Sequence, residues 1–158
     1  MPIVVKLTQK PSTPLSNEQL GLRFATESEA YADAAMLLEN SRFHSARYYL
    51  FCHAFELILK SFILSAGEDQ SKLFGVGHRL NEALAEATRL GYSPSDAGLA
   101  SIIDWLHPFH EGNHFRYARG GYQMLPTAEN ILTAFKAAHL EIAPLARTAY
   151  LKKYPSPV

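Results

Sequence analysis

The stretch ARYYLFCHAFELILKSFILSA, residues Ala46 to Ala66, decides the fold of this 158-residue chain. It contains no glycine or proline, so nothing in it interrupts a helix. At about 100° per residue, the polar and amphipathic side chains of this region share one narrow stripe. The stripe consists of Arg42, Tyr49, His53, Glu56 and Lys60. The remaining circumference is apolar apart from Arg47, which predicts a central helix covered on several sides by partner helices.

The polar stripe has two interpretations. It is either a solvent-exposed edge, on which Glu56 and Lys60 form an i,i+4 ion pair worth a few tenths of a kcal/mol, or it faces a cleft or subunit interface. A second basic segment, FRYARGGY at residues 115–122, favours the cleft, because arginine forks and aromatic rings bind phosphates and bases. The polar pocket or dimer seam predicted in that case consists of His53, Glu56, Lys60, His78, Arg116, Tyr117 and Arg119.

The rest of the chain is also predicted to be helical, with no convincing alternating strand pattern. A possible capping box from Thr26 to Glu29 leaves open whether the first helical region is one helix or two. Gly67 ends the central helix, and a loop is expected at residues 67–77. The expected helices cover residues 17–40, 41–66, 78–90, 96–106 and 127–154. The predicted fold class is therefore all-α, an up-and-down bundle of about five helices.

Length and composition predict a single domain at residues 17–156, preceded by a proline-containing arm at residues 1–16 with a possible short strand at 3–7. Fifteen basic and fifteen acidic residues leave no net charge, so any nucleic-acid binding must come from a local patch. Cys52 has no disulfide partner, and the N-terminal apolar patch is too short for a signal peptide. We expect a cytoplasmic protein that does not span a membrane.

The stretch HEGNH, residues 110–114, matches the zinc-protease signature His-Glu-x-x-His. In such a protease both histidines lie one turn apart on one face of a continuous helix. Pro108 precedes the match, and Gly112 with Asn113 is typical of a turn, so we expect a loop here. Arg116 stands where the signature prefers an apolar residue, and no third-ligand motif follows. A zinc protease is therefore not expected.

The three histidines His107, His110 and His114 would align at i, i+3 and i+7 if this segment were helical. The same proline and glycine argue against a helix, but a loop could still gather the three imidazoles. The sequence leaves open an incidental metal site and a set of exposed or hydrogen-bonded loop histidines. No cofactor and no resident metal are predicted.

The order HAFELILKSFIL, a loop, GHRLNEALAEA and a later FRYAR resembles the HEPN domains. These are small helical bundles associated with prokaryotic nucleotidyltransferases, toxin–antitoxin pairs and phage defence. The likeness covers roughly residues 30–138 and implies an up-and-down bundle that dimerises along its helix faces. Many members are metal-independent endoribonucleases with an Arg-x4–6-His motif whose two copies meet across the dimer interface. The one match here runs from Arg47 to His53.

In the ribonuclease role, the resemblance gives His53 as the candidate general base for a ribose 2′-hydroxyl and Arg47 as the group that stabilises charge on the phosphate. Six residues place these side chains about 120° apart on a straight helix, so they would converge only through the dimer mate or a bent helix. The resemblance thus implies a homodimer that binds RNA or a nucleotide, as a metal-independent endoribonuclease of a toxin–antitoxin or defence system. An antitoxin or a nucleotidyltransferase would be its partner. The alternative is a non-catalytic helical adaptor that binds a partner protein.

Overall fold

The computed structural model describes residues 13–38, 42, 44–116 and 124–155. These residues form helices and connecting turns and contain no strand. The helices are α1 (Asn17–Leu37), α2 (His44–Ser65), α3 (Gln70–Val76), α4 (Leu80–Arg89), α5 (Leu99–Glu111) and α6 (Ala128–Lys153). The predicted all-α class is confirmed for this part of the chain, with six helices where about five were expected. The strand suggested at residues 3–7 lies outside the described residues.

Helix α1 begins where the sequence predicts, at a capping box formed by Ser16 and Gln19. The Ser16 hydroxyl accepts a hydrogen bond from the Gln19 amide at 3.2 Å, and the Gln19 side chain accepts one from the Ser16 amide at 2.9 Å. The box expected at Thr26 is wrong, because the Thr26 hydroxyl donates to the Leu22 carbonyl in the middle of the helix. Residues 17–37 are therefore one helix rather than two.

Helix α2 is the central element of the bundle. Every residue from 54 to 64 is buried, and the helix ends where Gly67 takes a φ of 98°, a value that glycine adopts without strain. By length and composition α2 could cross a membrane, but 78% of its most apolar window is buried inside the protein. That burial is typical of the core helix of a soluble protein.

The interface between α1 and α2 is built from small side chains. The buried face of α1 consists of Gly21, Ala25, Ser28, Ala32 and Ala35. The two helices run antiparallel, because Ser61 near the end of α2 donates to the Gly21 carbonyl at 2.7 Å, while Arg47 near its start contacts Met36. Small residues at spacings of three and four allow the two backbones to approach closely along this face.

Helix α6 covers a second side of α2 and runs parallel to it. The Tyr48 hydroxyl donates to the Pro126 carbonyl at 2.6 Å, just before α6 begins. Two turns further along both helices, the rings of Phe55 and Phe135 meet edge to face with centroids 5.7 Å apart. Helices α4 and α5 also pack against α2, so the central helix is enclosed by four others.

Two segments differ from the sequence-based expectation. The expected loop at 67–77 contains α3, which is capped by the Asp69 side chain accepting from the Ser71 amide at 2.9 Å. Helix α5 continues through Pro108 to Glu111, five residues beyond its expected end. A proline removes only one helical donor, and burial of Leu106 and His110 on the same face stabilises the extension.

The loop between α4 and α5 is fastened to α6 by Glu141. Its carboxylate accepts hydrogen bonds from the Tyr92 hydroxyl at 2.9 Å and the Ser95 amide at 3.0 Å. Burial acts to raise the pKa of Glu141, but the hydrogen bonds from Ser95 and Tyr92 outweigh it and hold this pKa below its usual value. The ionised carboxylate therefore stabilises the folded protein.

We expect Ala35→Leu to lower the free energy of unfolding by about 1–3 kcal/mol, because Ala35 is 0% exposed and a larger side chain would have to displace its neighbours. Urea denaturation measures the change. Ala30→Leu, on the exposed face of the same helix, is the matched control and should change stability by less than about 0.5 kcal/mol. Equal effects of the two substitutions would contradict close packing on this face.

We expect Glu141→Ala to cost about 1–3 kcal/mol at pH 7, because it removes a charged acceptor from two donors. A lowered pKa means that this contribution is fully present above the unfolded-state pKa of about 4.3. It should disappear as the pH falls through the lower folded-state pKa. Denaturation at several pH values measures the difference from wild type, with the exposed Glu27→Ala as control. A difference independent of pH would contradict this account.

Candidate functional site

Glu56, in the middle of α2, is the centre of a buried polar cluster. Its side chain is 3% exposed, and Lys60 one turn later donates to Oε1 at 2.7 Å. Nε2 of His110, from α5, lies 2.9 Å from Oε2. Nδ1 of His78, from the turn between α3 and α4, lies 3.1 Å from both oxygens, and Nδ1 of His53 lies 3.9 Å from Oε2. We call these five residues the Glu56 cluster.

Local backbone structure explains how three elements reach one carboxylate. His53 and Lys60 lie at i−3 and i+4 from Glu56, so the helical repeat alone places them beside it. His78 follows Gly77, whose φ of 58° lies in the left-handed region and reverses the chain after α3. His110 reaches the cluster because α5 continues past Pro108 for one more turn.

The charge on Glu56 follows from its contacts. Burial alone would raise the pKa of Glu56, but polar contacts from His110, His53 and Lys60 outweigh it and hold the pKa well below its usual range. An ionised carboxylate only accepts hydrogen bonds, so His110 Nε2 and His78 Nδ1 each carry the hydrogen that faces it. His53 is beyond direct hydrogen-bond distance and contributes as a neighbouring polar group.

Aromatic rings form the wall of the Glu56 cluster. The Tyr49 ring lies parallel to the His53 ring, with centroids 6.1 Å apart. The centroid of the same Tyr49 ring lies 6.2 Å from that of His110. Tyr31 of α1 meets His53 edge-on at 4.5 Å. The His53 side chain is 24% exposed and that of His78 is 75% exposed. The Glu56–Lys60 ion pair thus forms the buried side of the cluster, and the imidazoles of His53 and His78 are its solvent-accessible groups.

The structure brings together four of the residues that the sequence analysis grouped, namely His53, Glu56, Lys60 and His78. The interpretation of the stripe as a solvent-exposed edge is wrong, because Glu56 and Lys60 are 3% and 9% exposed. The further members of the predicted pocket and stripe stand elsewhere: Arg42 precedes α2, Arg116 is exposed in the turn after α5, and Tyr117 and Arg119 lie outside the described residues.

The predicted catalytic pair does not meet within one chain. Arg47 Nη2 lies 3.7 Å from the sulfur of Met36, and Arg47 Nε is buried without a hydrogen-bond partner in the described part of the chain. His53, by contrast, contacts Tyr31, Tyr49 and Glu56. Within the described part of the chain, Arg47 and His53 thus contact different side chains.

The HEGNH stretch straddles the end of α5. His110 lies in its last turn, whereas Asn113 has a φ of 55° and His114 lies beyond the helix. The His114 ring packs so closely on Gly112 that a Cβ there would lie 2.5 Å from it. The two histidines therefore do not share a helical face as a zinc protease requires. The expected loop is wrong only for residues 107–111, which are helical.

His110 is the site residue that the sequence analysis did not assign. His107 bonds to Glu111 at 3.1 Å, so the three neighbouring histidines separate rather than gather. The sequence does contain a pattern that predicts this position, because Leu99, Ile103, Leu106 and His110 recur at helical spacing. All four lie on the buried face of α5. Pro108 concealed that repeat by suggesting that the helix had already ended.

The ligand atoms of Glu56, His78 and His110 lie within 4.8 Å of one another, and no other group with metal-ligand chemistry was found among the described residues. No protein-family model matches the chain, and neither does any curated protein or solved structure.

We expect Glu56→Ala to lower the free energy of unfolding by about 3 kcal/mol, because the buried Lys60 ammonium loses its counter-ion. The double variant Glu56→Ala/Lys60→Met should recover part of that loss, since it removes the uncompensated charge and keeps an apolar stem. Chemical denaturation measures Glu56→Ala, Lys60→Met and the double variant. Glu82→Ala, which breaks an exposed pair with Arg79, is the control and should cost less than about 1 kcal/mol. If the change in unfolding free energy of the double variant equals the sum of the two single changes, direct coupling between Glu56 and Lys60 is contradicted.

Proposed function

We propose that this protein is a cytoplasmic, HEPN-like homodimer that binds RNA or a nucleotide at the Glu56 cluster. The single observation that supports this proposal is the exposed His78 imidazole, oriented by a carboxylate that is itself buried. A buried ionised group that fixes an exposed imidazole is an arrangement used in binding and acid–base sites, because the ring is held in one orientation. Stability alone does not require an imidazole at this exposed position.

The groups around His78 suit a nucleotide. The Tyr49 and His53 rings offer flat surfaces against which a base can stack. Imidazole N–H groups can donate hydrogen bonds to phosphate oxygens. The chain carries no net charge, so binding would depend on this local surface rather than on long-range attraction.

A more specific proposal, that the protein cleaves RNA, rests on the sequence resemblance to the HEPN domains. His53 would accept the proton of a ribose 2′-hydroxyl, and Arg47 would stabilise the phosphate. Because Arg47 and His53 face different neighbours within one chain, cleavage requires the homodimer, with the two copies of the motif meeting across its interface. An antitoxin or nucleotidyltransferase partner would then control the activity.

A second function, a helical adaptor, is favoured by a different surface. A cavity of about 480 Å³ between α5 and α6 is lined by Trp105, Met124 and Leu125 together with polar residues. Trp105 and Met124 are exposed, although they are large and apolar. Such side chains at a concave surface are typical of a contact with a partner protein.

Fluorescence anisotropy with a labelled single-stranded RNA tests binding, and gel analysis of the same mixtures tests cleavage, each with and without a metal chelator. We expect His78→Ala to weaken binding about tenfold, equivalent to about 1.4 kcal/mol. His44→Ala removes another exposed histidine, at the start of α2, and is the matched control that should leave binding unchanged.

The outcomes separate the candidate functions. RNA decay that persists with chelator and is lost in His53→Ala supports the metal-independent ribonuclease, whereas binding without decay supports a binding module. Wild-type protein that binds neither RNA nor a nucleotide contradicts the proposal. In that case, partner capture that is lost in Trp105→Ala would support the adaptor.

A further inference from the structure

The two oxygens of Glu56 have different neighbours. Oε1 accepts from Lys60 at 2.7 Å, Oε2 faces His110 Nε2 at 2.9 Å, and His78 Nδ1 lies 3.1 Å from both oxygens. One carboxylate oxygen and two imidazole nitrogens thus converge from α2, from α5 and from the turn between α3 and α4. We propose that Glu56, His78 and His110 form a binding site for a divalent metal ion of the zinc class.

The donor set fits this ion. Two histidines and one carboxylate are a known protein ligand set for Zn²⁺, which binds nitrogen and oxygen at about 2.0–2.2 Å. In a tetrahedral site with such bonds, ligand atoms lie roughly 3.3 Å apart. The distances from Glu56 Oε2 to His110 and His78 are 2.9 and 3.1 Å, close to this spacing, and the ligand atoms of all three residues lie within 4.8 Å of one another.

Binding replaces the hydrogen bonds from the two imidazoles to Glu56 with three bonds to the ion, one each from His78, His110 and Glu56. Each neutral imidazole moves its hydrogen to the other ring nitrogen, so that the lone pair of His110 Nε2 and of His78 Nδ1 faces the ion. No proton need leave the rings, because this is a change of tautomer. The carboxylate is already ionised and needs no further change.

Lys60 does not occupy the proposed position. Its ammonium lies on Oε1, His110 Nε2 lies on Oε2, and His78 Nδ1 is equally distant from both oxygens. The lysine would hold the carboxylate in orientation, as outer partners of metal ligands commonly do. Its positive charge also opposes a second cation nearby, so we expect weaker binding than at a structural zinc site with three or four thiolates.

The proposed site has an open side. The His78 side chain is 75% exposed, and His53 Nδ1 lies 3.9 Å from Oε2. Three protein ligands leave a fourth position for water, for His53 or for an oxygen of a bound ligand. This proposal goes beyond RNA binding and does not depend on it. It also differs from the metal-independent chemistry that the sequence resemblance implies.

The test uses the full, tag-free chain after chelator treatment, titrated with Zn²⁺ alone by calorimetry and analysed for metal content after dialysis. We expect one Zn²⁺ per chain and an affinity at least about tenfold weaker in His78→Ala. His44→Ala and His107→Ala are matched histidine controls and should bind as the wild type does. Because neither RNA nor nucleotide is present, a negative result here leaves the proposed function to its own assay.

A second readout does not depend on variants that might disturb the core. Co²⁺ replaces Zn²⁺ in nitrogen and oxygen sites, and its visible absorption should be stronger at a four-coordinate site than in water. We expect this absorption in the wild type and its loss in His78→Ala, with circular dichroism showing that both are folded. Wild-type protein without stoichiometric metal overturns the proposal, and so does folded His78→Ala that binds both metals as tightly as wild type.

Discussion

The carboxylate of Glu56 lies within the run of buried residues 54–64 of the central helix, and its charge is tolerated there because both of its oxygens have partners. An isolated charge in such surroundings would cost several kcal/mol, and removing a single partner from a buried pair commonly costs about 3–5 kcal/mol. Here Lys60 compensates one oxygen and His110 the other, with His78 shared between them. The central helix of the bundle therefore depends on groups supplied by two other elements.

The other helices either bury the central helix or supply polar partners to Glu56. The small residues of α1 let it lie close along one side of α2, and α6 covers another side. The short α3 and the left-handed Gly77 return the chain so that His78 reaches the carboxylate. Helix α5 runs one turn beyond Pro108 and carries His110 to the same point. The Gly77 turn and the extension of α5 look irregular by local rules, and each places a polar group at Glu56.

The Glu56 cluster is chemically versatile because its imidazoles can act in two ways. With hydrogen facing the carboxylate, the rings are fixed in orientation and present their remaining edges and faces to a ligand. With lone pairs facing the carboxylate oxygen, the same nitrogens become metal ligands. The proposed RNA or nucleotide binding uses the first state and the proposed metal site uses the second. Exchange between them needs a change of tautomer and small shifts rather than a new fold.

The sequence by itself determined the helical class and the identity of the central helix, because an uninterrupted apolar stretch with one polar stripe has a single stable solution in water. It also grouped His53, Glu56 and Lys60, since their spacing is fixed by the helical repeat. It did not determine that the stripe is buried, that α5 continues through Pro108 or that His110 joins the cluster. Tertiary structure decided these, because packing of Leu106 and His110 outweighs the loss of one helical hydrogen bond, and contacts between residues 54 positions apart follow from no local pattern.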